Sequence, residues 1–467
     1  MMVRFGDDKL DELRERANIV EVIGAHVRLK RAGSNYVGLC PFHNEKTPSF
    51  SVNPGRGFFH CFGCGAGGSV FNFVMRAEGL SFPEAVRSLA RRFGVSLPEE
   101  REPGAASGER EAMFGVNEIA AQYFSQVLWK ASGATTAREY LRSRGVSEET
   151  ARAFSLGFAP ADPTSLTKAL SRRNLLEAGI KVGLIRRGGG GDVRDLFAGR
   201  LMFPIRDHQG RVIAFGGRVL DDRLPKYMNS PESPIYSKAR NVYSLYESRQ
   251  ALGRADRAIV VEGYFDAIAV WQAGFKEVVA SLGTSLTVDQ LRLLGRYTRN
   301  VIACFDGDDA GRKASLRALE VFLQAGLLGR GVFIPPGFDP DTLIKERGAQ
   351  ALDDLLARAE LLVDYFLAEQ NRLGQGSLEG RARAAGRVAE VLRLVANPFE
   401  FDLLARKAAE TLGISEQVLR DHARRPAKAR TAENRNAAPK PEPGAIEAFD
   451  AAETGIMAIA AFRAEMR

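Results

Sequence analysis

Two short cysteine/histidine pairs constrain this chain more than any other feature. Cys40-Pro-Phe-His43 and Cys61-Phe-Gly-Cys64 each set two metal-binding side chains three positions apart, with 17 residues between the pairs. Zinc takes four nitrogen or sulfur ligands in a tetrahedron, and a two-residue gap lets one tight knuckle offer two of them. The intervening length suits a β-hairpin that brings the knuckles together. With all four positions supplied by protein no coordination site stays open, so the pattern predicts one structural Zn²⁺. Free cysteines in a small aromatic core are the alternative reading. His60 abuts Cys61 but lies outside the knuckle spacing and is rejected as a ligand. The fourth cysteine, Cys304, stands alone in an apolar run, so the thiols make no disulfide framework and suit a reducing cytoplasm.

At 467 residues the chain has room for several domains. Hydrophobic residues at 45% and charged residues at 26% give the balance of a soluble globular protein. No window approaches the roughly 18 apolar residues of a membrane span. The charged start (Arg4, Asp7, Asp8, Lys9) does not read as a signal peptide. The expectation is a cytoplasmic protein with no membrane segment.

The pattern divides the chain into a metal-binding unit over residues 1–97, a linker at 98–110, a mixed segment at 111–253, an α/β segment at 254–345, and a helical segment at 346–425. A second linker at 426–444 and a short tail at 445–467 follow. In the first unit, apolar residues at spacings of three and four predict a helix over 9–27. In the α/β segment, apolar runs at 258–261, 277–281, 301–305 and 331–334 alternate with helical stretches, which predicts an open, largely parallel sheet.

Carboxylates sit where three of those strands end: Glu262 and Asp266, then Asp306 and Asp308, then Asp339 and Asp341. Open α/β sheets bind ligands beyond the carboxyl ends of their strands. Six clustered carboxylates repel one another unless cations intervene, and hard oxygen ligands suit Mg²⁺ or Mn²⁺. Two or more such ions serve phosphoryl transfer. A turn with a helix N-cap accounts for Asp306-Gly-Asp-Asp309, but on this reading not for the other two clusters.

From Arg200 to Arg257, 11 Lys and Arg stand against 6 Asp and Glu, a net +5 within a chain of net +8. Basic residues interleaved with Tyr227, Asn229 and Tyr236 form a footprint for a polyanion. A solvated face is the bland alternative. Near the zinc pairs, Phe50, Phe58, Phe59 and Phe62 with Lys46 and Arg56 suit base stacking or a plain aromatic core, and the sequence leaves both open.

Together these motifs resemble the bacterial replicative DNA primases over roughly residues 5–425. The likeness runs through Cys40-Pro-Phe-His-Asn-Glu-Lys-Thr-Pro-Ser-Phe50, Phe203-Pro-Ile-Arg206, Phe215-Gly-Gly-Arg218, Lys226-Tyr-Met-Asn-Ser-Pro231, Val261-Glu-Gly-Tyr-Phe-Asp266 and Phe305-Asp-Gly-Asp308. The resemblance implies a multidomain α+β fold: an N-terminal zinc ribbon, a mixed α/β core with a toprim subdomain, and a C-terminal helical subdomain. It implies a DNA-directed RNA polymerase that makes short RNA primers from ribonucleoside triphosphates on single-stranded DNA during chromosomal replication. On that likeness Glu262 is the acid/base or metal-organising residue, Asp306 and Asp308 are the principal metal ligands, and Asp266, Asp339 and Asp341 support them. Arg200, Arg206, Arg218, Lys226, Asn229 and Lys238 line the template and nucleotide groove. The implied partners are the replicative helicase and a single-stranded-DNA-binding protein at nucleoid replication forks. The helicase-binding domain of such proteins is a much longer helical C-terminus, and 445–467 matches at most its first helix, so the expectation is a chain nearly lacking that domain. The Glu-Gly and Asp-x-Asp motifs alone also fit a toprim nuclease or topoisomerase-like enzyme. A non-catalytic zinc-ribbon protein that binds single-stranded DNA is the third reading.

Overall fold

The computed structural model describes residues 7–80, 82–95, 104–188, 191–283 and 285–424. Both segments beyond 425, the second linker and the tail, therefore lie outside the described residues.

The first unit is a five-stranded antiparallel sheet in chain order, Lys30–Ala32, Asn35–Gly38, Phe50–Asn53, Phe58–Cys61 and Gly67–Ser69, with helices Val70–Glu78 and Phe82–Phe93 behind it. The helix expected over 9–27 is two, Asp7–Arg16 and Ile19–Gly24. The break falls at Asn18, whose carboxamide accepts from the Val20 amide at 2.9 Å. A side chain that caps a new helix competes with continuing the old one, although the apolar spacing runs straight through.

The linker reading also needs correction. Residues 104–110 belong to a helix, Gly104–Lys130, and only 98–103 fall outside the described residues. Val116, Ala120, Phe124 and Leu128 of this helix are fully buried, and Phe124 meets Phe215 edge-on at 5.6 Å. Once those turns are formed, adding turns in front is cheap, and no apolar period marks them. Glu109 there is paired with Lys181.

Helix Gly104–Lys130 covers a four-stranded antiparallel sheet ordered Tyr227–Asn229, Val212–Val219, Arg200–Arg206 and Gly157–Ala159. The next sheet is ordered Val278–Ala280, Ala258–Val261, Val301–Asp306, Arg330–Ile334 and Glu360–Leu361, the first four parallel and the last antiparallel. Its central strands are buried on both faces, which is why they read as unbroken apolar runs. Register pairs Val261 with Ala280, Val260 with Ala303 and Asp306 with Ile334, so these four strands finish at one edge. Among the described residues four helices follow its last strand, from Leu362–Gly374 to Glu416–Arg424.

The first unit meets the core at the opposite edge of that sheet, just before Val301–Asp306 begins. The Tyr297 hydroxyl donates to the Glu78 carbonyl at 3.3 Å, and Arg296 pairs with Glu84 at 3.2 Å. Gly79 has φ +66°, and a Cβ there would lie 2.3 Å from the Tyr297 ring, so only glycine lets the contact close.

Candidate active site and metal centre

In the first unit, the strands carry the two knuckles to one point. The ligand atoms of Cys40, His43, Cys61 and Cys64 all lie within 4.8 Å of one another. The Cys40 and Cys64 sulfurs are 3.8 Å apart, and Cys61 Sγ is 3.7 Å from His43 Nδ1. A tetrahedron with Zn–S bonds of about 2.3 Å has edges of about 3.8 Å, so the residues fit zinc. Glu45 braces the site: it accepts from the Cys40 amide at 2.7 Å and the Ser49 amide at 3.1 Å, and lies 3.2 Å from His43 Nε2. Burial works against the Cys61 thiolate, but the Ser49 hydroxyl and the Cys64 and Gly63 amides outweigh it and bring the thiol down to about 7. His60 stays out of the tetrad and instead stacks between Phe58 and Phe62 on the sheet surface. The aromatics divide: Phe50 and Phe59 are core at 0% and 1% exposed, whereas Phe58 and Phe62 face out at 43% and 77%.

The strand-end carboxylates form an electrostatic chain rather than a tight cage. Poor solvation raises the Glu262 carboxyl, and the charges of Asp306 and Asp308 raise it further. Asp306 is raised by poor solvation, then by Asp308 and Asp339. Burial, with Asp339 and Asp341, pushes Asp266 up to about 7. Three of the six also start helices. Asp266 accepts from the Gly263 amide at 3.1 Å, Asp308 from the Gly311 amide at 2.8 Å, and Asp339 from the Thr342 amide at 2.7 Å. Capping therefore accounts for more than the Asp306–Asp309 turn, the limit the sequence set. A cap engages part of a carboxylate's acceptor capacity and leaves the rest for a ligand. Such an all-oxygen edge fits Mg²⁺-like ions, which take one or two carboxylates and complete their shell with phosphate and water. A crevice of about 440 Å³ opens beside it, with Glu262, Ser281, Asp306 and Arg317 on its wall.

Asp266 makes the site's stability depend on pH. Its carboxyl stands at about 7 against an ordinary 3.8, so the folded chain holds the proton more tightly than the unfolded chain. Stability present at low pH is therefore lost as pH rises through that interval. Without divalent ions, Asp266→Asn, which can still cap, is expected to raise the melting temperature relative to the parent at pH 8 and to change it little at pH 5. Equal effects at both pH values would contradict this.

The six predicted groove residues separate into two sets. Arg200 is buried, and its guanidinium donates to the carbonyls of Gly217 at 3.2 Å and Pro225 at 3.0 Å. Arg206 donates to the Gly210 carbonyl and the Ser155 hydroxyl, both at 2.8 Å, and lies 3.6 Å from Glu247. Asn229 donates to the Leu282 carbonyl at 2.9 Å and accepts from the Tyr264 hydroxyl at 2.5 Å. These three side chains are held by partners within the protein, and Arg206 and Asn229 remain half-buried. The ammonium groups of Lys226 and Lys238 have no partner among the described residues, although the Lys238 amide donates to Glu232 at 2.7 Å, and Arg218 sits over the Tyr140, Tyr227 and Phe265 rings. Sequence reasoning missed Arg144, which pairs with Asp341 at 2.8 Å.

Four family models match in succession: CHC2 zinc finger at 5–104, DNA primase catalytic core N-terminal domain at 123–249, Toprim-like at 259–344 and DnaB-helicase binding domain of primase at 363–417. The DNA primase of Halalkalibacterium halodurans is 39% identical over 426 residues, 90% of this chain and 71% of that protein. The chain belongs to the bacterial DNA primase family. Among solved primases, the zinc-binding and RNA polymerase domains from Aquifex aeolicus match with TM-score 0.60 and 36% identity over 88% of this chain and 98% of that one. A primase catalytic domain bound to single-stranded DNA matches with TM-score 0.63 and 36% identity over 67% of this chain and 99% of that one. The chain spans 71% of the Halalkalibacterium primase and 63% of two Pseudomonas primases.

The helicase-binding match corrects one expectation. That module was placed beyond the second linker, yet the match falls on 363–417, within helices Leu362–Gly374, Leu378–Leu392 and Pro398–Leu412. Leu-, Ala- and Arg-rich helices pack alike whether they close a core or receive a partner, so composition did not separate the two.

Proposed function

We propose that this chain synthesises short RNA primers from ribonucleoside triphosphates on single-stranded DNA at bacterial replication forks, with Mg²⁺ or Mn²⁺ held by Glu262, Asp306 and Asp308. The observation that carries the reading is the convergence of three carboxylate-bearing strand ends beside a crevice large enough for a nucleotide. Bound there, divalent ions supply the positive charge that an in-line displacement at phosphorus needs. Glu262, raised above an ordinary carboxyl by its surroundings, suits acceptance of the proton from the attacking hydroxyl. Lys226 and Lys238, whose ammonium groups have no partner among the described residues, offer them to phosphates. Phe58 and Phe62, outward on the zinc-bound sheet, offer faces on which single-stranded bases stack.

The test is incorporation of labelled ribonucleotides on unprimed single-stranded DNA with either ion, beside Asp306→Asn/Asp308→Asn. Short RNA from the parent alone supports the reading. Cleavage of the template without synthesis favours a toprim nuclease, and neither reaction with zinc loaded returns the chain to a DNA-binding role.

The helicase-binding match at 363–417 supports the replicative helicase as a partner. Phe399 and Leu403, one turn apart on helix Pro398–Leu412, are 82% and 65% exposed and form an apolar spot there. Phe399→Asp/Leu403→Glu is expected to weaken helicase binding by roughly tenfold or more, the scale of exposed apolar anchors. An acidic residue in the first turn favours the helix, so unfolding is not the expected cause of that loss. Binding isotherms with the purified helicase check it.

A further inference from the structure

Arg144 follows helix Thr135–Ser143, in a segment no motif marks, yet it reaches across to the toprim carboxylates. Its guanidinium lies 2.8 Å from Asp341 and 4.7 Å from the Phe265 ring centre. The turn that carries it is fastened to two toprim helices. Gln272 donates to the Gly145 carbonyl and accepts from the Ser147 amide, each at 2.9 Å, and Lys345 donates to the Ser143 carbonyl at 2.8 Å. Arg218 stands close by, within 5.0 Å of the Tyr140 ring centre and 5.5 Å of Phe265.

A settled structural ion pair satisfies its polar atoms, and this one does not. Among the described residues, the buried Nε atoms of Arg144 and Arg218 have no hydrogen-bond partner, and Asp341 Oδ2 has only the Arg144 guanidinium at 2.8 Å. Buried groups left in this way carry a desolvation penalty that a ligand can relieve. Asp266, Asp339 and Asp341 converge here, and a guanidinium meets their charge where an ion is expected to bind.

Resting on the reading that these carboxylates hold divalent ions, we infer that Arg144 is a positioning residue that occupies Asp341 in place of an ion and yields it when a nucleotide triphosphate takes up the guanidinium. One carboxylate cannot serve both cations fully, so they compete. A triphosphate offers Arg144 the paired oxygens that a planar guanidinium fits. Uptake of the nucleotide and of the ion at Asp341 are thereby coupled, and the coupling is reciprocal.

Two titrations of the full chain with zinc loaded test this. Without nucleotide, Mn²⁺ binding followed by the paramagnetic signal of the free ion is expected to be roughly tenfold tighter in Arg144→Gln than in the parent, a usual size for coupled sites. The gain should vanish in Arg144→Gln/Asp341→Asn, and Arg144→Lys, which keeps a cation on Asp341, should restore the parent value. Without divalent ions, inorganic triphosphate should bind more weakly to Arg144→Gln and more tightly to Asp341→Asn, where the guanidinium has lost its competitor. Unchanged or weaker Mn²⁺ binding in a folded Arg144→Gln overturns the inference. If that variant does not fold, Asp341→Asn decides, and triphosphate binding no tighter than the parent's overturns it. Loss of Mn²⁺ binding in Asp306→Asn/Asp308→Asn with no effect of Arg144→Gln sinks the coupling alone. Retention of all Mn²⁺ binding in that double variant sinks the catalytic reading as well.

Discussion

Asp306→Asn/Asp308→Asn is expected to lower ribonucleotide incorporation by roughly a thousandfold or more, since groups acting directly in the transition state are each worth about a hundredfold to ten-thousandfold. The substitution separates charge from structure. Asp308 caps helix Asp309–Gln324 through the Gly311 amide, and asparagine caps about as well as aspartate. Asp306 ends its strand exposed, with its carboxyl raised by poor solvation and by neighbouring acids. Removing two negative charges from such a cluster relieves repulsion, so the melting temperature should hold or rise. Activity lost with the melting temperature preserved places the effect in the chemistry. Activity retained would remove these carboxylates from the reaction.

The second large effect belongs to zinc. Removing the ion by chelation, or one ligand by Cys61→Ser, is expected to unfold the sheet of residues 30–69 while the toprim and helical parts keep their own transition. Structural zinc in small domains contributes on the order of 10 kcal/mol of folding free energy. The unit has a compact core around Phe50, Phe59, Phe71 and Phe73, but its strands are three or four residues long. Zinc content by colorimetric chelator, read beside circular dichroism during heating, checks this. A single unchanged transition after zinc loss would contradict it. Glu45→Gln should weaken zinc by roughly 10- to 100-fold without removing a ligand, because groups bracing a metal ligand are worth that much.

The parts legible in the sequence were those fixed by short-range covalent spacing or by burial on both faces. Knuckle spacing holds Cys40 with His43 and Cys61 with Cys64 whatever surrounds them. The doubly buried strands Ala258–Val261 and Val301–Asp306 announce themselves as apolar runs, and their ends locate Glu262 and Asp306. What the sequence does not carry is direction across the chain. Arg200 and Arg206 count toward a basic stretch, but their side chains turn inward to backbone carbonyls, and charge counts carry no such direction. Arg144 meets Asp341 only because a turn crosses to another subdomain. The edge strand Glu360–Leu361, two residues long, is too short to leave a pattern.

The contact of Tyr297 with Glu78 lies where strand Val301–Asp306 begins, and the proposed reaction takes place where it ends. At about 3.3 Å per residue these points are roughly 20 Å apart. The molecule thus has a handle and a blade at opposite ends of one strand. The docking contact and the proposed chemistry thus sit one strand length apart, about as far as six nucleotides reach at a 3.4 Å rise.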